Sequence, residues 1–95
     1  MTIVGRQLIK KFLRKHANAR ASLSAWLEEA EDADWKTPQD IKDRYRSADF
    51  LSGNRVVFNI GGNNNRLVVL VTYRNGIVMI QKIGTHADYD KWDLK

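Results

Sequence analysis

The chain has 95 residues, enough for a single domain spanning residues 1–95. Its hydrophobic share of 43% and charged share of 28% are ordinary for a soluble globular fold, and the absence of cysteine excludes a disulfide scaffold and a thiolate zinc site. The net charge of +5 suits a polyanionic partner such as RNA, DNA or a membrane surface.

The opening MTIVGRQLIK has no long apolar stretch and no small-residue cleavage site, so no secretory signal is read in it. No run of roughly 18 apolar residues is present to span a membrane, and the cytoplasm is the expected location. The charge is unevenly spread. Arg6, Lys10, Lys11, Arg14, Lys15 and Arg20 crowd the first residues, whereas Glu28, Glu29, Glu31, Asp32 and Asp34 follow without a base among them.

Leu8, Ile9, Phe12, Leu13 and His16 recur at three- and four-residue spacing, which predicts one face of a helix. His16 is read as a packed helix residue rather than a ligand. Asn18 stands as an N-cap for a second helix that buries Leu23, Trp26, Leu27 and Ala30, so that the two helices form an antiparallel hairpin. Trp26 and Trp35 read as core residues. Thr37-Pro38-Gln39-Asp40 predicts a third, short helix ending near Tyr45: Thr37 caps, Pro38 takes the first helical position and Asp40 faces the positive end of the dipole.

The periodicity then changes to alternation. Val56, Phe58 and Ile60 share one side of a strand, with Arg55, Val57 and Asn59 on the other. Gly61-Gly62-Asn63-Asn64-Asn65 is a turn by composition. Arg66 to Tyr73 predicts a second strand, with Leu67, Val69, Val71 and Tyr73 as its more apolar row. Asn75-Gly76 is a hairpin signal of the type I′ kind, and Ile77 to Ile83 a third strand. The expected fold is α+β, with N-terminal helices packed on a small antiparallel three-strand meander. The sheet's other face would stay open and carry Arg66 with either Gln81 or Lys82, a reasonable place for a phosphate.

The tail Gly84-Thr85-His86-Ala87-Asp88-Tyr89-Asp90-Lys91-Trp92-Asp93 gathers a histidine, a tyrosine and a lysine within six residues. These are the side chains that metal-free RNA cleavage needs. Attack by the 2′-hydroxyl requires a base for its proton, an acid for the 5′-oxygen and cations for the charge on phosphorus. Histidine serves as base or acid, tyrosine orients or donates, and lysine and arginine stabilise the phosphorane. Two histidines far apart in sequence and no carboxylate cluster lead to no expected metal site. Trp92 is read as a core anchor of a terminal turn.

Asn54-Arg55-Val56-Val57-Phe58-Asn59-Ile60-Gly61-Gly62-Asn63 followed by Arg66-Leu67-Val68-Val69 resembles the central strand pair of HigB-type toxins in the RelE-like superfamily. Gly84-Thr85-His86-Ala87-Asp88-Tyr89-Asp90-Lys91 resembles their closing motif, Thr-His-x-(Glu/Asp)-Tyr-Asp. The resemblance covers nearly the whole chain. It implies a RelE-like fold, mRNA cleavage on translating ribosomes and no cofactor. It also implies neutralisation by a helix-turn-helix antitoxin, with operator DNA bound only through the toxin–antitoxin complex. Carried onto this chain, it assigns catalysis to Arg66, His86, Tyr89 and Lys91, and RNA contacts to Arg55, Gln81 and Lys82. Gln81 stands where an arginine is common in the last strand and supplies no charge. Lys82, its neighbour, would point to the opposite face of a regular strand. Two alternatives are a non-catalytic RNA- or DNA-binding module and a partner-binding module that has lost its activity.

Overall fold

The computed structural model describes residues 1–62 and 64–94. Asn63, in the expected asparagine turn, lies outside them. The order along the chain is β1 (Thr2–Val4), α1 (Arg6–Leu13), a 3₁₀ turn (Ala17–Ala19), α2 (Arg20–Asp32), α3 (Pro38–Arg44), β2 (Asp49–Leu51), β3 (Arg55–Ile60), β4 (Asn65–Thr72), β5 (Ile77–Thr85) and α4 (His86–Lys91).

The fold is α+β, but the sheet has five strands rather than three. They lie in the order β1-β5-β4-β3-β2, with β1 parallel to β5 and the other pairs antiparallel. The meander of β3, β4 and β5 is its centre. The two added strands are three residues each, too short to display a period.

The N-terminal helices pair as a hairpin: Arg6 at the start of α1 bridges Glu31 near the end of α2 at 2.9 Å. The N-terminal ammonium reinforces this corner by donating to the carbonyls of Ala30, Glu31 and Ala33 at 3.1, 3.0 and 2.7 Å. It thereby satisfies carbonyls that a helix end leaves unpaired, at the negative pole of the dipole. Asn18 does not cap α2. It sits within the 3₁₀ turn, and no side chain caps the helix that follows. Thr37 does cap α3, in a capping box with Asp40, and the helix ends at Tyr45 as its sequence predicts.

One sheet face carries the main core. Val56 and Phe58 lie opposite Val69 and Leu67, and Val71 lies opposite Val78. Leu23, Trp26 and Ala30 of α2 pack on this face, as do Trp35 and Ile41. Phe58 is its aromatic centre, with Trp26, Tyr45 and Trp35 ring centroids at 5.3, 5.0 and 6.1 Å. Both tryptophans are core residues, as their sequence context suggests.

The hairpin between β4 and β5 is looser than a two-residue type I′ turn. Gly76 takes a left-handed φ of 68° but Asn75 does not, and Thr72 pairs with Ile77 across a four-residue connection. Type I′ would need both central residues at positive φ.

Candidate active site

The second sheet face is not open. Val57 and Val68 point away from the helices, yet each is only 1% exposed. The cover is the C-terminal segment. α4 follows β5 directly, and the chain then runs back across the strands until the Leu94 carbonyl meets the Arg55 guanidinium at 2.7 Å.

α4 is set by a second capping box. The Thr85 hydroxyl accepts from the Asp88 amide at 3.2 Å, and Asp88 Oδ2 accepts from the Thr85 amide at 3.0 Å. The His86 amide adds a bond to the Asn64 carbonyl at 2.9 Å. The Thr85 amide, and after it the Thr85 hydroxyl, holds the Asp88 carboxyl below its ordinary range; Lys91 and His16 nearby add to the effect. Thr85-x-x-Asp88 is the signal for this helix in the sequence, and reading the tail as a turn overlooks it.

Gly84 is what lets α4 lie so close. A β-carbon there would stand 2.7 Å from Trp92 Cζ2 and 2.9 Å from Asp88 Cβ. Trp92 therefore anchors the segment against the strand, with Tyr89 packed edge-on beside it at 5.9 Å.

The register decides which cations share this covered face. Arg66 pairs with Gly84 and Val68 with Lys82, but Val69 pairs with Ile80, leaving Gln81 as the extra residue of a β-bulge. The bulge resets the alternation of β5. Lys82, which a regular strand would turn towards the core with Ile80, instead lies on the face of Arg66. Expecting it on the opposite face fails for that reason. Gln81 is exposed at the bulge.

Arg66 lies with its guanidinium carbon 5.5 Å from the Tyr89 ring centre, and its Nη1 donates to the Asn65 carbonyl at 3.2 Å. Lys82 Nζ lies 5.4 Å from the Trp92 ring centre. Arg66 and Lys82 are diagonal neighbours across the strand pair, a separation of about 7–8 Å. His86 and Tyr89 are three residues apart on α4, within about 60° of one another around its axis. The structure thus brings Arg66 and Tyr89 together, with Lys82 on the same sheet face and His86 one turn before Tyr89 on α4.

Two expected site residues sit elsewhere. Lys91 is turned about 160° from Tyr89 around α4, towards the side of Asp88. Arg55 is four register positions from the partner of Arg66, about 13 Å along the strand, and holds Ser52 and Leu94 carbonyls at 2.9 and 2.7 Å. Among the described residues no three His, Cys, Asp or Glu side chains gather as a metal-ligand group.

Residues 19–92 match a protein family described as HigB_toxin, the RelE-like toxic component of a toxin–antitoxin system. The chain belongs to the HigB toxin family. It is 27% identical over 93 residues to a protein of Escherichia coli O6:H1 named mRNA interferase HigB, covering 96% of this chain and 90% of that one. It is 26% identical over 92 residues to the mRNA interferase toxin HigB of Escherichia coli K12 and to the mRNA interferase HigB of Shigella flexneri. Each of these alignments covers 95% of this chain and 88% of the relative. Among the described residues, no helix of this HigB-family chain is long and apolar enough to cross a membrane.

Proposed function

We propose that this HigB-family toxin is an endoribonuclease that cleaves mRNA by attack of the RNA's own 2′-hydroxyl on the adjacent phosphate. The observation that carries the reading is Arg66 under the Tyr89 ring on the covered sheet face, with His86 one turn earlier on the same helix. The names of the relatives point the same way.

In the proposed reaction the 2′-oxygen bonds to phosphorus as the bond to the 5′-oxygen breaks. His86 and Tyr89 are the groups that take the 2′ proton and return one to the leaving oxygen. Arg66 and Lys82 meet the charge that builds on the non-bridging oxygens. The stacking of Arg66 on Tyr89 does not prevent this. A cation–π interaction is worth about 0.5–1 kcal/mol at exposed sites, less than the roughly 1.5–3 kcal/mol of a hydrogen bond to a charged group. Lys82 fills the part that Gln81 cannot, and Lys91 acts through the general field of the site.

The mRNA would be met on translating ribosomes in the cytoplasm, without a cofactor. A cognate helix-turn-helix antitoxin would mask the positive surface, and the complex, rather than the toxin alone, would bind operator DNA. Induction of the chain without its antitoxin should stop growth. His86→Ala should lower cleavage by about 100- to 10,000-fold with an unchanged thermal midpoint. Full cleavage by a well-folded His86→Ala protein would remove His86 from the reaction.

A further inference from the structure

A cleft of about 430 Å³ opens along the edge of β5. The strand is uncovered there because β1 pairs only with Ile77–Met79. The Phe12 ring of α1 lines the cleft, stacked at 4.4 Å and an interplanar angle of 21° on His16, which lies beyond the helix, before the 3₁₀ turn, rather than on the helix as its spacing predicts. Trp92, Lys11, Lys15, Lys82, Leu8 and Ile83 complete the lining.

We propose that this cleft is a second RNA subsite, which takes one unpaired nucleotide beside the scissile phosphate. The proposal rests on the ribonuclease reading and adds to it a place for the flanking RNA. The base lies between the Phe12–His16 stack and Trp92, and the phosphates lie on the lysines.

Aromatic rings beside a cationic groove are the recurrent solution for single-stranded nucleic acid, because every base offers a π-face to stack upon. A cleft of about 430 Å³ with rings in its lining suits one base rather than a pair. The cations are available. Lys11, Lys15 and Lys82 form no ion pair among the described residues. The acids of residues 28–34 are engaged elsewhere, with Glu31 on Arg6 and Glu29 on Arg44 and Tyr45. Asp88 stands close to His16, but its carboxylate is turned to the Thr85 amide.

Continuity with the junction is the strongest ground. Lys82 lines the cleft and, through the bulge, also shares the face of Arg66. Their strand positions are about 7–8 Å apart, and stacked nucleotides rise about 3.4 Å each, so a strand held at Arg66 comes to Lys82 within about two nucleotides.

The test uses the purified full chain and a short fluorescent 2′-O-methyl oligoribonucleotide, which lacks the attacking hydroxyl. Its affinity is measured by anisotropy across a salt series for the wild type, for Lys11→Gln/Lys15→Gln, and for Trp92→Phe and Trp92→Ala. Glutamine removes the charge and keeps a long polar side chain at two exposed positions, Lys11 on α1 and Lys15 in the turn that follows it. The double variant should bind about tenfold more weakly. Its slope of log affinity against log salt should be shallower by about 1.4, that is about 0.7 for each phosphate no longer neutralised. On unmodified RNA its KM should rise while kcat holds. Trp92→Phe should retain more affinity than Trp92→Ala. Wild-type affinity and salt slope in a double variant that still cleaves would overturn the subsite alone. A wild-type chain that neither binds nor cleaves RNA would overturn the ribonuclease reading itself. Unchanged RNA affinity with loss of antitoxin binding would assign the cleft to an acidic protein segment and overturn the proposal.

Discussion

Gly84→Ala tests whether α4 is seated on the sheet as described. Gly84 has no left-handed φ, so alanine meets no backbone strain there. What it meets is Trp92, with Cζ2 at 2.7 Å and Cη2 at 3.0 Å, and Asp88 Cβ at 2.9 Å. Real β-carbons do not approach so closely, and neither the indole nor the first turn of α4 can yield without moving the helix. Overpacking of this kind costs about 1–3 kcal/mol, offset by about 0.4–1 kcal/mol from the stiffer unfolded chain. A net loss of up to about 2.6 kcal/mol follows, centred near about 1.3 kcal/mol, or roughly 5–10 °C in Tm for a domain of this size. Cleavage should fall further than stability, because Tyr89 and His86 travel with α4. Thermal and urea unfolding of Gly84→Ala, Trp92→Leu and the double variant give a coupling energy. Removing the indole should recover at least about 1 kcal/mol of the alanine's cost. Strictly additive losses, or a Gly84→Ala protein with wild-type Tm and cleavage, would refute this seating.

Lys82→Ala should lower kcat for RNA cleavage more than Lys91→Ala, because only Lys82 shares the face of Arg66; the reverse order in single-turnover assays would return Lys91 to the junction. Thr85→Ala should cost about 0.5–2 kcal/mol in urea unfolding by removing the cap of α4, and Thr85→Ser should restore most of it. Acid should destabilise the chain through its two capping carboxylates. Asp40 is held below its ordinary range by the Lys36 and Thr37 amides, and Asp88 by the Thr85 amide. Their contribution is complete above the unfolded value of about 3.9 and is lost as pH falls through the lower folded values. Tm measured from neutral pH to about pH 2 should drop in that range, less steeply for Asp40→Asn/Asp88→Asn.

The centre of the fold is legible in the sequence because long, regular elements announce themselves. Val56, Phe58 and Ile60 alternate, the β4 row of Leu67, Val69 and Val71 faces the same core, and Thr37-Pro38-x-Asp40 spells a helix start that the structure forms. Short strands do not. Thr2–Val4 is a strand because it lies beside β5, a partner far away along the chain. The consequential omission is the bulge at Gln81. Alternation assumes a constant step, and one extra residue reverses the side of everything after it. That reversal brings Lys82 to the Arg66 face, and no local residue preference advertises it. The cover over that face is equally hidden, since it depends on Gly84 being opposite Arg66 and on Arg55 reaching Leu94, both properties of register. The sequence groups His86, Tyr89 and Lys91 by nearness alone, and α4 then sets Lys91 about 160° around its axis from Tyr89.

The chemical nature of the ends left on cellular mRNA tests the central claim most directly. Transcripts would be mapped after a brief induction of the wild type and, at matched soluble level, of His86→Ala. Attack by the 2′-hydroxyl predicts new 5′ ends bearing a hydroxyl, with 2′,3′-cyclic phosphate on the upstream fragments, and their loss in the His86 variant. Growth arrest with no new ends, or new ends carrying 5′-phosphate, would contradict it.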